Sequence, residues 1–215
     1  MFNGILIASG PTIEPIDPVR FLSNRSSGKT GFHLAVEAQR RGLGPVVFIT
    51  GPTAFIPEQA EVIRVESAQE MGAAVNAHAR RADVIIMAAA VSDYRSLKYY
   101  PDKMKKSGER LTLELVKNPD ILLELGRNKR PGQVLVGFAA ETEDIFVNAQ
   151  KKLLAKNLDL LVLNEISGAN PVFGRDENQV YLVRPDGVRR LEAMSKALVA
   201  ARIWDDICDL AGRAG

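Results

Sequence analysis

The stretch "QVLVGFAAETEDIFVNAQKKLLAKNLDLLVLNE", residues 133–165, reads as strand, helix, strand. "QVLVGFAA" (133–140) and "LDLLVLNE" (158–165) are short β-branched, apolar runs, and "TEDIFVNAQKKLLAKN" (142–157) between them has helical periodicity. A strand that returns through a helix pairs in parallel, through a right-handed crossover. The same alternation extends outward in both directions. "ILIAS" (5–9), "PVVFIT" (45–50), "EVIRVE" (61–66) and "LTLELV" (111–116) read as strands. "DVIIMAAA" (83–90) is the most apolar strand and is expected at the sheet centre. Helices are expected over 28–42, 68–82 and 118–128, and "SKALVAARIWDDICDLAG" reads as a closing helix. Before it, a hairpin near 178–193 turns at "PDG". The expected fold is α/β: an open, mostly parallel, Rossmann-like sheet with helices on both faces and a small β-hairpin extension, formed by residues 1–215 as one domain.

Bulk properties narrow the function. The 215 residues are 46% hydrophobic and 25% charged, an ordinary globular balance. A net charge of +2 with interspersed signs argues against a nucleic-acid surface, but not against an anionic small molecule. The lone Cys208 excludes an intrachain disulfide, fits a reducing compartment and lies in an apolar helical pattern. No apolar run approaches a membrane span, and the first residues lack the basic segment of a signal peptide. A cytoplasmic protein is expected.

Open α/β sheets bind ligands beyond the carboxyl ends of their strands. The loops after "ILIAS", "VVFIT", "IIMAAA", "LVGFAA" and "LLVLNE" should therefore share one rim. One polar loop, "RFLSNRSSGKTG" (20–31), contains Gly28-Lys29-Thr30, the second half of a P-loop. The motif would need glycine at 23, where Ser23 stands, and a strand directly before it. The P-loop reading fails on both counts. What remains is a set of donors: the Asn24 amide, the Ser26 and Ser27 hydroxyls, and amides at the start of a helix near Gly28. These suit a carboxylate or phosphate; Lys29 suits either one or solvent.

Other rim residues carry two readings each. Lys103, Lys105 and Lys106 suit a polyphosphate or form a solvated basic loop. Asp93 suits a divalent cation bridging phosphates, or a turn. Asn118 is expected to cap a helix with Pro119 in its first position, which leaves amides for an anion or for plain capping. Phe138 faces a base or fills the core. Lys152 and Lys156, four apart, share one helix face. His33 and His78 fall in helical patterns and receive no acid–base role.

Together, "GPTIEPIDPVRFLSNRSSGKTG", "AAAVSDY", "KMKK", "KNPDIL", "VGFAAET" and "KNLDLLVLNE" resemble, in order and spacing, the bacterial type of phosphopantothenate–cysteine ligase. The resemblance runs from about Ile5 to the last helix. It implies a coenzyme A biosynthetic step. A nucleoside triphosphate, CTP in the bacterial forms and ATP in the eukaryotic ones, activates the carboxylate of 4'-phosphopantothenate as an acyl-nucleotidylate. The amine of cysteine then displaces the nucleotide.

The resemblance also implies roles. Asn24 would orient the intermediate, with Ser26, Ser27 and Gly28 on the acyl substrate, and Lys103 would serve its formation. Met87, Ala88, Ala89, Asp93, Lys103, Pro119, Asp120, Ile121, Leu122, Phe138, Lys152 and Lys156 would contact the nucleotide. Ser92 stands where alanine is common in the family. Mg²⁺ is expected with the CTP, Asp93 being the candidate ligand. No flavin is expected in this chain. A flavin-dependent decarboxylase is an expected fused or separate partner, and the chain is either a stand-alone ligase or an excised domain. A homodimer is implied, built through the hairpin near 178–193 or the segment around 95–116. The competing reading, a nicotinamide-dependent oxidoreductase, would want G-x-G-x-x-G after "ILIAS", where "SGPTIEPI" stands.

Overall fold

The computed structural model describes residues 1–105, 108–165 and 176–213. Its strands in chain order are β1 (Ile5–Ser9), β2 (Ile13–Pro15), β3 (Phe21–Ser23), β4 (Val46–Thr50), β5 (Glu61–Arg64), β6 (Val84–Met87), β7 (Tyr94–Ser96), β8 (Leu115–Lys117), β9 (Val134–Glu141), β10 (Leu160–Glu165), β11 (Glu177–Arg184) and β12 (Gly187–Ser195). Among the described residues, five helices alternate with them: α1 (Lys29–Arg40), α2 (Ala68–Ala79), α3 (Ile121–Arg127), α4 (Ile145–Ala155) and α5 (Lys196–Arg213). Eight strands make one sheet in the order β12-β11-β10-β9-β6-β1-β4-β5. The six from β10 to β5 are parallel, and the β11–β12 hairpin adds antiparallel strands beyond β10. The open, mostly parallel α/β sheet expected from the sequence is thus present.

Side-chain alternation divides the core in two. Ile5 and Ile7 of β1 pack with Leu34, Ala35 and Ala38 of α1 and with Val199, Ile203 and Trp204 of α5. Leu6 and Ala8 point the other way, onto Met71 and Val75 of α2, Ile121 of α3 and Leu153 of α4. Every residue of β1 is buried, as a strand covered on both faces requires. The largest core side chain, Trp204, is fully buried, and its Nε1 donates to the Leu34 carbonyl at 2.8 Å. That bond satisfies the one polar group Trp carries inside.

The helices on this face are also joined by charge. Glu37 accepts from Arg40 Nε at 2.7 Å and from Arg41 Nε at 2.6 Å. Arg41 continues to Asp205 at 2.8 Å and to the Ala201 carbonyl at 3.0 Å, which ties α1 to α5. The Arg40 hydrogen bond, helped by Arg41 and opposed by burial, holds the Glu37 carboxyl at about 2 instead of 4.5.

Three elements depart from the sequence expectation. The strand expected over 111–116 is only Leu115–Lys117, and it pairs with Tyr94–Ser96 in a separate ribbon outside the main sheet. The central strand ends at Met87, and Ala88–Ala90 run on beside the end of β1 and the residues after it, Ala90 bridging Pro11 in parallel. The helix expected from 118 starts at Ile121, and its cap is Asp120, which accepts from Leu123 N at 3.0 Å. Asn118 is not a cap, because its side chain is engaged across the ribbon. Its N–H donates to the Asp93 carbonyl and its amide donates to the Ser92 carbonyl, 2.9 Å away. Asn118 Oδ1 meanwhile accepts from Arg95.

The Glu37 site gives a pH prediction. Its folded pKa is depressed, so its contribution is present above the ordinary value of 4.5 and is lost as pH falls toward 2. A shift of that size corresponds at face value to about 3 kcal/mol, and the exposure of Arg40 reduces it to about 1–2 kcal/mol. Glu37→Gln is expected to destabilise by that amount in denaturant melts at pH 7, with the gap closing near pH 2. A gap that is constant with pH contradicts the assignment.

Candidate active site

The chain runs outward from β1 to β4 and β5, then returns to β6 on the other side of β1. The order therefore reverses between β1 and β6, and a ligand crevice belongs beyond their carboxyl ends. The two ends are stitched together there. Ala88 N donates to the Ala8 carbonyl and Ala90 N to the Gly10 carbonyl, each at 2.9 Å, and Ser92 N donates to Thr12 Oγ1 at 3.0 Å. A cavity of about 520 Å³ opens at this point. Residues 24–31 form one wall, Ala88–Val91 with Asp93 another, and Phe138–Ala140 with Lys152 a third; Asn164, Asn178 and Lys196 complete the lining.

Residues 20–31 show why Gly28-Lys29-Thr30 exists outside a P-loop. The β2–β3 ribbon separates β1 from α1, so α1 reaches the crevice from a distance. Its start is then clamped to the end of β1. Ser9 Oγ donates to the Gly28 carbonyl at 3.1 Å, and Thr53 Oγ1 donates to the Ser27 carbonyl at 2.7 Å. A Cβ on Gly31 would lie 2.2 Å from Ser9 Oγ, and one on Gly28 would lie 2.8 Å from Thr53 Oγ1. Gly28 also has φ 77°, the left-handed region that glycine occupies without strain. Both glycines are therefore required by close approach, and Gly28 by backbone conformation as well. The N-cap Gly28 offers α1 no side-chain bond, and Ser27 Oγ accepts from the Lys29 N–H at 3.4 Å.

The structure brings most of the expected residues together. Asn24 lines the cavity, and its Nδ2 donates to the Val91 carbonyl at 3.0 Å, fixing the amide across the crevice. Ser26, Ser27, Gly28, Ala88, Ala89, Asp93, Phe138 and Lys152 line the same space. Phe138 packs on the core and also lines the cavity. Met87 is buried just beneath.

Another group stands apart from the lining. Asp120 is paired with Lys156 at 2.8 Å. Burial acts to raise the Asp120 pKa, but Lys156 and the Leu123 amide outweigh it and hold the carboxyl below its usual value. Pro119 and Leu122 flank this pair, and Ile121 is buried in the core. Lys103 is exposed on a loop outside the cavity lining. That loop is anchored through Met104, whose N–H donates to Asp17 at 3.1 Å and whose carbonyl accepts from Arg20 at 3.1 Å. Lys106 lies outside the described residues.

Charge in the cavity is lopsided. Among the described lining residues, Arg25, Lys29, Lys152 and Lys196 face one acid, Asp93. Lys29 pairs with Asp176, and Lys152 with Glu141 at 2.8 Å. Lys196 is only 5% exposed; burial first, and then Lys29, push its pKa down, while Asp176 opposes them. Such a cavity suits a ligand with several negative charges.

Asn164, Asn178 and Lys196 were not singled out from the sequence. Asn164 had a signal, a polar residue at the rim end of "LLVLNE". Asn178 and Lys196 had none, because the antiparallel hairpin brings them to the rim by its first and last residues.

The clamp predicts a double-mutant rescue. Gly31→Ala is expected to lower the melting temperature by several degrees, since the added methyl overlaps Ser9. Ser9→Gly in the same chain removes the overlapped Oγ and Cβ and should restore most of the melting temperature. Thermal melts of the three variants check this; an additive double mutant contradicts it.

The family described as "DNA/pantothenate metabolism flavoprotein C-terminal domain" matches residues 2–210. The chain is 41% identical over 207 residues to the "Coenzyme A biosynthesis bifunctional protein CoaBC" of Escherichia coli (strain K12), covering 94% of this chain and 51% of that protein. It is 44% identical over 214 residues to the protein of the same name from Bacillus subtilis (strain 168), covering 98% and 52%. It thus spans about half the length of the curated relatives it matches. The solved C-terminal domain of a CoaBC is 40% identical, with a TM-score of 0.80 over 95% of this chain and 93% of that one. A Cab2 mutant in complex with phosphopantothenate-cysteine shares the fold at 18% identity and a TM-score of 0.75, covering 97% and 86%. The chain belongs to the DNA/pantothenate metabolism flavoprotein C-terminal domain family.

Proposed function

We propose that the chain catalyses CTP-dependent ligation of 4'-phosphopantothenate to L-cysteine through an acyl-cytidylate, giving phosphopantothenoylcysteine, CMP and pyrophosphate. The observation that carries this reading is the cationic cavity at the strand-order reversal, with Asn24 bonded across it to Val91. Its relatives' names place them in coenzyme A biosynthesis. In the first step a carboxylate oxygen of phosphopantothenate attacks the α-phosphorus, and pyrophosphate leaves. Charge then builds on phosphate oxygens, and each fixed cation that meets it is commonly worth about 10²–10³ in rate. Lys29 and Lys152 supply that charge from the walls, and Lys103 from the rim.

In the second step the cysteine amine attacks the acyl carbon, and CMP leaves. Asn24 does not titrate, so its part is positioning. CTP is the expected triphosphate; an amino-bearing base such as adenine is the nearest competitor. Mg²⁺ fits the donor set: it is commonly held by one or two carboxylates plus substrate phosphates, and Asp93 is the carboxylate on the cavity wall. The cation would neutralise the triphosphate there.

A homodimer is part of this proposal. The β2–β3 and β7–β8 ribbons pack side by side and expose Phe21 (54%), Tyr94 and Leu97 (56%). That favours the segment around 95–116 over the hairpin as the interface, and Phe21→Glu should convert a dimer to monomer in sedimentation. Unchanged sedimentation places the interface elsewhere. A flavin-dependent decarboxylase, fused or separate, is the proposed partner, which fits relatives that are bifunctional and about twice this length.

The reaction itself is tested by quenched single turnovers with 4'-phosphopantothenate, cysteine, Mg²⁺ and each triphosphate, products identified by mass. CTP is expected to give product fastest. Asn24→Asp should still release pyrophosphate but accumulate acyl-cytidylate, with transfer slowed about 10²-fold or more. The substitution replaces the donor to Val91 with a negative charge beside an anionic intermediate. Normal transfer removes Asn24 from the mechanism, and no pyrophosphate from any triphosphate with the unaltered chain contradicts the ligase reading.

A further inference from the structure

Asp17, in the turn between β2 and β3, is only 3% exposed, a rare burial for a charged side chain. The turn explains half of it. Oδ1 accepts from the Val19 and Arg20 N–H groups, each at 2.8 Å, the usual way an aspartate closes a turn on itself. The other oxygen serves a different segment as well. Oδ2 accepts from Arg20 Nη1 at 3.0 Å and from the Met104 N–H at 3.1 Å, 87 residues away in sequence. Arg20 Nη2 donates to the Met104 carbonyl at 3.1 Å. The ion pair thus holds Met104 by both of its backbone groups. A third bond, from the Tyr100 N–H to the Ile16 carbonyl at 2.9 Å, ties down the other end of the same loop. Residues 100–104 are therefore fastened to one turn at both ends, and Lys103 lies between the fastenings.

A carboxylate suits this seat because it has two acceptor oxygens. Four donors meet Asp17, two on each oxygen. An amide of the same shape has one acceptor oxygen and one NH₂, so whichever way it turned, two of the donors would face further hydrogens. Burial acts to raise the Asp17 pKa, but the Val19, Arg20 and Met104 amides and the Arg20 charge outweigh it and hold the carboxyl below its usual value. The turn itself asks only for Oδ1. The bond to Met104 needs the second oxygen and has no part in the turn.

We infer that Asp17 is a positioning residue for carboxylate activation: with Arg20 it fixes the Met104 backbone, and through it the place from which Lys103 reaches the triphosphate. This rests on the ligase reading and deepens it. The Lys103 Cα is one peptide unit, about 3.8 Å, from the Met104 Cα. A lysine stem is long and flexible, and Lys103 is exposed, so the backbone of its loop limits where the ammonium is found. A displacement of about 1 Å in a group that meets the reacting atoms can cost about 10²-fold in rate. A basic loop that only faces solvent has no use for a buried carboxylate under its backbone; a loop that presents one cation to a phosphate does.

The first measurement is hydrogen exchange at the Met104 amide, by NMR. In the unaltered protein it should exchange at least about 10-fold more slowly than in the unfolded chain, and exchange at the unfolded rate overturns the inference. Asp17→Asn should speed that exchange. In single turnovers with CTP, Mg²⁺ and 4'-phosphopantothenate it should also slow pyrophosphate release about 10–100-fold. Transfer to cysteine, followed once the acyl-cytidylate has formed, should keep its rate. This split is the reverse of the one expected for Asn24→Asp, and a merely structural loss would slow both steps alike. If Asp17→Asn does not fold, Asp17→Ser takes its place: a hydroxyl can still close the turn on Val19 but is too short to reach Met104. Pyrophosphate release at the unaltered rate, or both steps slowed by the same factor, overturns the inference. No pyrophosphate from the unaltered protein overturns the ligase reading and the part of Asp17 in it, whatever the Met104 exchange shows.

Discussion

The start of α1 rests against the end of β1 with no room for a side chain between them. Ser9 Oγ reaches the Gly28 carbonyl, and a methyl on Gly31 would occupy the space that Ser9 fills. This contact sets the height of α1 above the sheet. With it are set the positions of residues 24–28, the clamp of Thr53 on Ser27, and the span from Asn24 to Val91. A looser seat would separate the loop from the Ala88–Val91 wall and open the crevice. The rest of the fold serves this junction: two apolar cores hold β1 rigid from both faces, and the Glu37–Arg41–Asp205 chain fixes the far end of α1.

The fold was legible in the sequence wherever burial is uniform. The strands "ILIAS", "VVFIT" and "LLVLNE" are buried on both faces, so composition alone identified them. The reading was less accurate where one local bond competes with propensity. Asn118 has the residue type of a helix cap, but it is held by Ser92 and Arg95 across the ribbon, and Asp120 takes the role instead. "LTLELV" alternates like a strand, yet only its end finds a partner, at Tyr94–Ser96.

The candidate site was legible through residues that are contiguous in sequence, such as Asn24 to Gly28 and Ala88 to Asp93. Asn178 and Lys196 meet the cavity only because an antiparallel hairpin folds back beside β10. That pairing is long-range and leaves no local pattern. The electrostatics followed the same rule. The separate lysines were visible, but not their counterions: Glu141 on Lys152, Asp120 on Lys156 and Asp176 on Lys29. The pairs on Lys29 and Lys152 keep a cationic wall compatible with a folded chain, since each acid offsets repulsion between the cations around the cavity.

The central claim is that carboxylate activation passes through a nucleotidylate in this cavity. The most direct measurement uses phosphopantothenate labelled with ¹⁸O in its carboxylate and follows the label in a complete turnover with CTP and cysteine. Attack on the α-phosphorus puts one carboxylate oxygen on the departing nucleotide, so mass spectrometry should find CMP carrying one ¹⁸O and unlabelled pyrophosphate. Label in inorganic phosphate, with CDP as the nucleotide product, would mean attack at the γ-phosphorus through an acyl phosphate and would contradict the account.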